Sequence, residues 1–174
     1  MSKKDIFLPL TDDVIASLRK NELIYLSGTI YSARDAAHKI LKDLIKKGKT
    51  LPFDLKNQII YYSGPILDKN NKIISFGPTT SKRMDDFTLP LLKMGVSGFI
   101  GKGKRSQFIT KSIKKYNAIY FCAVGGCGAL YAKCVKKSCL VAYPELGSEA
   151  IIKYKIDRMP LFVSTLPQIK GDNK

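Results

Sequence analysis

The chain has 174 residues, 45% of them hydrophobic, which is enough for one packed core and short of two, so residues 1–174 are read as a single domain. No apolar run reaches about 18 residues, and Met1-Ser-Lys-Lys-Asp5 does not lead into an apolar signal core; membrane spanning and secretion are disfavoured. The 30 basic and 14 acidic residues give a formal charge of +16, which would attract nucleic acid, an anionic membrane or an anionic metabolite alike.

Finer composition narrows that choice. Only five of the basic residues are arginines, at 19, 34, 83, 105 and 158, whereas a nucleic-acid reader is expected to use more. The clusters Lys46-Lys47 and Lys136-Lys137 lack neighbouring aromatics suited to stacking bases, which leaves a basic nucleic-acid-binding domain as a remote alternative. The cysteines, at 122, 127, 134 and 139, crowd into one stretch instead of stapling the chain, so a reducing, cytoplasmic setting is expected.

In chain order, Leu23 to Ile30 is β-branched and aromatic and predicts a strand. Arg34 to Lys47 has helical apolar spacing through Ala37, Ile40, Leu41, Leu44 and Ile45, and Gly48 stops it. Ile59 to Tyr62 and Ile73 to Phe76 read as two strands joined around Asp68-Lys69-Asn70-Asn71. A helix is predicted from Ser81 to Lys93, then a strand at Gly98 to Ile100, a helix from Ser106 to Lys115 and a strand from Ala118 to Phe121. Gly126 to Lys133 follows as a helix, with strands at Leu140 to Tyr143 and Leu161 to Val163. This alternation predicts an α/β fold, a layered sheet with flanking helices, largely parallel in its second half.

Three strand-to-helix junctions carry chemistry. Gly77-Pro-Thr-Thr-Ser-Lys-Arg-Met-Asp85 gathers hydroxyls, backbone N–H groups and two cations, an arrangement suited to cradling an anion, with Arg83 able to add a bidentate fork. A plain N-cap by Thr79, Thr80 or Ser81 accounts for the same residues. Gly101-Lys-Gly-Lys-Arg105 presents Lys102 at the same edge, or is a basic surface loop; its spacing is not that of a Walker A loop. Arg34-Asp-Ala-Ala-His38 opens a helix with an arginine that the helix dipole disfavours, hinting at a ligand, while Asp35 could orient it. His38, the only histidine, is read as a structural hydrogen-bonding group on the same side. The C-x4-C-x6-C-x4-C spacing matches neither zinc nor bacterial cluster sites, so buried free thiols are preferred and no metal is assigned.

Taken together and in order, SGTIYSARDAAHKIL, IYYSGPI, GPTTSKRMD, GFIGKGKR, AVGGCGALYAK and YPELGSEAI resemble the C-terminal domain, or separate β subunit, of class I iron–sulfur hydro-lyases. These are the fumarate hydratases and L(+)-tartrate dehydratases. The resemblance covers roughly residues 5 to 165 and implies a swivelling β/β/α domain. It implies a β subunit that is active only with an α subunit, that subunit carrying a [4Fe-4S] cluster, in an α2β2 assembly acting on a dicarboxylate. Fumarate hydration to L-malate is the leading expectation, and L(+)-tartrate dehydration to oxaloacetate the alternative. Carried over by motif, Arg34, Thr79, Arg83 and Lys102 match the family's substrate-contacting positions, with Thr79 beside the carbon that gains or loses a proton. Lys82 stands where a small residue is usual, and Cys127 lies in a stretch usually rich in Gly and Ala. The physical reading agrees: dianions call for cationic clamps, and a Lewis acid for the departing hydroxyl has no convincing ligand set in this chain.

Overall fold

A computed structural model describes residues 4–167; Met1 to Lys3 of the amino-terminal segment considered above lie outside the described residues. In chain order these form β1 (Lys4–Phe7), α1 (Asp12–Ser17), β2 (Leu23–Ser32), α2 (Asp35–Lys46), β3 (Ile59–Tyr61), β4 (Ile66–Leu67) and β5 (Ile73–Ser75). A 3-10 turn (Ser81–Met84) leads into α3 (Asp85–Lys93), followed by β6 (Gly98–Gly101), α4 (Gln107–Lys115) and β7 (Ile119–Cys122). Next come α5 (Gly128–Cys134), β8 (Val135–Ala142), a second 3-10 segment (Pro144–Glu149) and β9 (Ile151–Thr165).

The architecture is mixed α/β, with a central sheet and flanking helices. Strands β2, β3, β6 and β7 lie side by side and parallel. The long β9 pairs antiparallel with both β7 and β2, so these five strands close on themselves. β8 adds to the outer side of β9, and β1 to β2.

Strand alternation explains why both faces are buried. On one face Ile24, Leu26, Ile30, Ile59, Tyr61, Ile100, Ile119, Phe121, Tyr154, Ile156, Leu161 and Val163 meet in the space the strands enclose. On the other, Ile60, Tyr62, Phe99 and Tyr120 pack beneath Ala37 and Leu41 of α2, Leu91 and Leu92 of α3, and Ile109 and Ile113 of α4. Helix α2 ends as its sequence foretold: Gly48 adopts φ 61° and its N–H donates to the Ile45 carbonyl at 3.1 Å, while the Lys49 N–H reaches Leu44 at 2.9 Å.

Several expectations are corrected. The turn around Asp68 to Asn71 joins β4 to β5, not β3 to β5; β3 lies inside the main sheet between β2 and β6, because all three of its side chains are buried. The last two strands are antiparallel, so the parallel part of the sheet is the middle of the chain. Leu161 to Val163 is only the end of the 15-residue β9, and Leu140 to Ala142 the end of β8; Tyr143, at φ 61°, has already left the strand. Helix α5 begins at Gly128, not Gly126, with Cys127 as its N-cap residue.

Candidate active site

Because β2, β3, β6 and β7 are parallel, their carboxyl ends share one edge of the sheet, the edge where ligands bind in parallel α/β folds, open or closed. Arg34 follows β2, Ser63-Gly64 follows β3, Lys102 follows β6 and Val124-Gly125-Gly126 follows β7. The segment bearing Thr79 is slung between two of these ends. The Thr79 N–H donates to the Tyr62 carbonyl at 2.7 Å, and the Thr79 carbonyl accepts from the Lys102 N–H at 3.1 Å. Ser81 N–H closes the bridge onto the Lys102 carbonyl at 2.9 Å. Such close approach requires Gly101: a Cβ there would stand 2.0 Å from Ser81 Oγ and 2.8 Å from Tyr62 Cδ2.

The charged side chains then fall into one connected group. Arg83 Nη2 donates to Thr79 Oγ1 and to Asp35 Oδ2, both at 3.0 Å. Asp35 Oδ2 also lies 4.0 Å from Arg34 Nε, and Arg34 Nη2 lies 3.5 Å from Glu149 Oε1. With both protons of Nη2 engaged, Arg83 keeps Nε–H and the Nη1 protons for a ligand. Arg34 Nε is buried without a hydrogen-bond partner among the described residues. Lys102 is tied to Thr79 through the main chain; its own side chain passes Gly125, where a Cβ would lie 3.5 Å from Cδ and 3.9 Å from Nζ. It forms no ion pair among the described residues.

Thr79 does not cap a helix here. Thr80 is the residue before the 3-10 turn and makes no side-chain capping bond, while the Thr79 hydroxyl accepts from Arg83. A guanidinium at that distance stabilises negative charge on the threonine oxygen and so eases movement of its proton. Arg34 is likewise a boundary residue, with φ −122°, and not part of the first helical turn; the exposed donors there are served by Glu149, whose Oε2 accepts from the Ala36 N–H at 2.9 Å.

His38 is wholly buried, edge-on to Tyr62 at 5.4 Å between ring centres and 5.9 Å from Phe87. Its Nδ1 lies 2.8 Å from the Arg34 carbonyl, which can only accept, so Nδ1 carries the proton. Burial lowers its pKa to about 4, overcoming the opposing pull of the carbonyl bond and of Asp35. His38 therefore stays neutral near pH 7 and supports the Arg34 main chain. Since the unfolded histidine titrates near 6.5, the unfolded chain gains its proton first as pH falls. The His38 contribution is thus whole above about pH 6.5 and declines toward pH 4, by about 2.5 kcal/mol at about pH 4.5. Urea melts at the two pH values should show that excess loss in the native chain and not in His38→Gln; equal losses would place the acid sensitivity elsewhere.

Two site features escape the sequence reading. Glu149 approaches from the far end of the chain, and Arg105, expected in a basic loop, is instead buried against Asp85. As for a metal or cluster, no three His, Cys, Asp or Glu side chains come together among the described residues. Cys134 is buried with its Sγ 3.5 Å from the Leu130 carbonyl, Cys139 is exposed on β8, and all four thiols are free; this donor set does not fit an iron–sulfur cluster.

The family model described as "Fumarase C-terminus" matches residues 2–171. The chain belongs to the fumarase C-terminus family. This fumarase-family chain is 38% identical over 165 residues to a Methanocaldococcus jannaschii protein named "Putative L(+)-tartrate dehydratase subunit beta", covering 91% of this chain and 85% of that protein. It is 38% identical over 167 residues to the anaerobic class I fumarate hydratase of Escherichia coli K12, covering 92% of this chain but 30% of the enzyme. Against fumarate hydratase 2 of Leishmania major it is 37% identical over 143 residues, 80% of this chain and 25% of the enzyme. The fumarase-family chain thus spans most of the archaeal relative and under a third of these two hydratases.

Proposed function

We propose that this chain is the β subunit of a two-subunit class I fumarate hydratase, catalysing reversible hydration of fumarate to L-malate. It acts as one swivelling β/β/α domain across residues 1–174, in the cytoplasm, in an α2β2 complex whose [4Fe-4S] cluster belongs to the α subunit. The observation that carries this reading is the connected group Arg34, Asp35, Thr79 and Arg83, with Lys102 on the neighbouring strand end, in a chain of the fumarase C-terminus family. Arg34, Arg83 and Lys102 clamp the two carboxylates of a dianion: the part-exposed Arg34 guanidinium and the spare Arg83 donors each offer a place for a carboxylate oxygen. Thr79 Oγ1, held by Arg83, is the group that hands on a proton at the reacting carbon. Asp35 keeps the two arginines apart yet paired in the absence of substrate, and His38 fixes the backbone beneath them.

A partner is supported by two further observations. The Methanocaldococcus jannaschii relative, 85% of which is covered, is named as a beta subunit. Beside the site, Ile66, Leu67, Ile74, Val124 and Leu130 are exposed on the β4–β5 hairpin, on α5 and in the loop before it, an apolar rim suited to burial.

Dehydration of L(+)-tartrate to oxaloacetate is the second reading, favoured by the name of the archaeal relative. Co-expression with the cluster-bearing α subunit, followed by assays with both substrates, separates them. The expected result is no turnover and no iron in the isolated chain, and fumarate hydration by the assembled pair. Turnover of tartrate alone would select the second reading, and hydration by the isolated chain would end both.

A further inference from the structure

We infer that Glu149 is a positioning residue that holds Arg34 in its substrate-binding orientation, an inference that rests on the proposed role of Arg34. Glu149 ends the 3-10 segment before β9 and is 113 positions from Ala36, whose N–H it serves. Its two oxygens divide the task. Oε2 accepts from the Ala36 N–H at 2.9 Å, serving the amino end of α2, where Arg34 supplies no side-chain cap. Oε1 lies 3.5 Å from Arg34 Nη2.

Gly64 packs against the same segment and against Arg34. A Cβ on Gly64 would lie 3.1 Å from Arg34 Nη1, 3.2 Å from Arg34 Cδ and 2.7 Å from the Ser148 carbonyl. The arginine is therefore packed close against Gly64 while Glu149 holds its Nη2. This confinement explains how Nε can be buried with no acceptor: a free guanidinium would rotate until that N–H found water, whereas a tethered one keeps it aimed and unsatisfied. The tether sets the guanidinium in place before its ligand arrives, and the quarter of the Arg34 side chain that stays exposed is what an incoming carboxylate meets.

Positioning and capping are separable because glutamine can accept from the Ala36 N–H as glutamate does, but carries no charge for Arg34. Glu149→Gln is expected to melt within about 2 °C of the native chain. In the full isolated chain, the Arg34 Nε–H signal in 15N-edited NMR should be sharp and slow to exchange for the native protein, and broadened in Glu149→Gln. In the assembled enzyme KM should rise about 3–10-fold with kcat changed less, as suits a partly exposed ion pair. If Glu149→Gln leaves the Nε–H signal and KM unchanged while Glu149→Ala lowers Tm, Glu149 is a helix cap only and the inference is overturned. If Glu149→Gln broadens the signal but the native complex turns over neither fumarate nor tartrate, the positioning of Arg34 stands and the functional reading fails.

Discussion

Replacing Thr79 by valine is expected to lower turnover of the assembled hydratase by roughly 10²–10⁴-fold while leaving the complex intact. Valine keeps the shape and deletes only the hydroxyl. In the structure that hydroxyl accepts from Arg83 Nη2 at 3.0 Å, and the same nitrogen retains Asp35 as a second acceptor at 3.0 Å. Arg83 therefore stays anchored in the variant, and the loss of one neutral acceptor costs about 1 kcal/mol of stability. The main-chain bonds that suspend Thr79 between Tyr62 and Lys102 are untouched. A large fall in kcat with Tm nearly unchanged thus reports proton transfer and not collapse of the edge, and Thr79→Ser, which restores a hydroxyl, should recover much of it. Turnover within about 3-fold of native in Thr79→Val would remove Thr79 from the reaction.

How far such a site could be read from the sequence depends on whether its parts are local. The Gly77 to Asp85 stretch is legible because a 3-10 turn following Pro78 places Thr79 and Arg83 four residues apart, within reach of one hydrogen bond. The shared edge follows from strands that alternate with helices, a rhythm written in the apolar spacing. Long-range pairings are not written there. β9 hides its own periodicity: Tyr154 and Ile156 point into the core at even positions, then Met159, Leu161 and Val163 at odd ones. The parity changes at Asp157-Arg158, where Arg158 has φ 50° and the pairing with β2 slips between Leu26 and Gly28. Pro160 and the lysines at 153 and 155 further disguise a strand that pairs with three neighbours. Glu149 reaches Arg34 only because that strand returns the chain to β2, so no local signal could assign it.

Arg105→Met is expected to destabilise the chain more than any substitution in the site, by about 3–5 kcal/mol or roughly 6–20 °C in Tm. The Gly101 to Arg105 stretch reads as a run of equivalent surface cations, yet the Arg105 side chain is fully enclosed. Its Nε donates to Asp85 Oδ1 at 2.6 Å, Nη1 to the Tyr62 hydroxyl at 3.1 Å, and Nη2 to Thr88 Oγ1. The rings of Tyr62 and Tyr120 stand 5.3 and 5.4 Å from the guanidinium carbon. Asp85 also accepts from the Ser106 N–H at 2.9 Å, so this pair fastens the start of α3, just beyond Arg83, to the loop that carries Lys102. Methionine fills much of the space but leaves a mostly buried carboxylate with one neutral donor. Asp85→Asn should cost less, about 1–2 kcal/mol, because the cation keeps two oxygen acceptors and its aromatic surroundings. Combining the two substitutions removes both buried charges, so the double variant should be at least about 1 kcal/mol more stable than the sum of the single losses predicts. Urea unfolding of the four proteins measures that coupling; strict additivity, within about 0.5 kcal/mol, would mean that Arg105 and Asp85 are each solvated on their own and that the pair does not fasten the edge of the site.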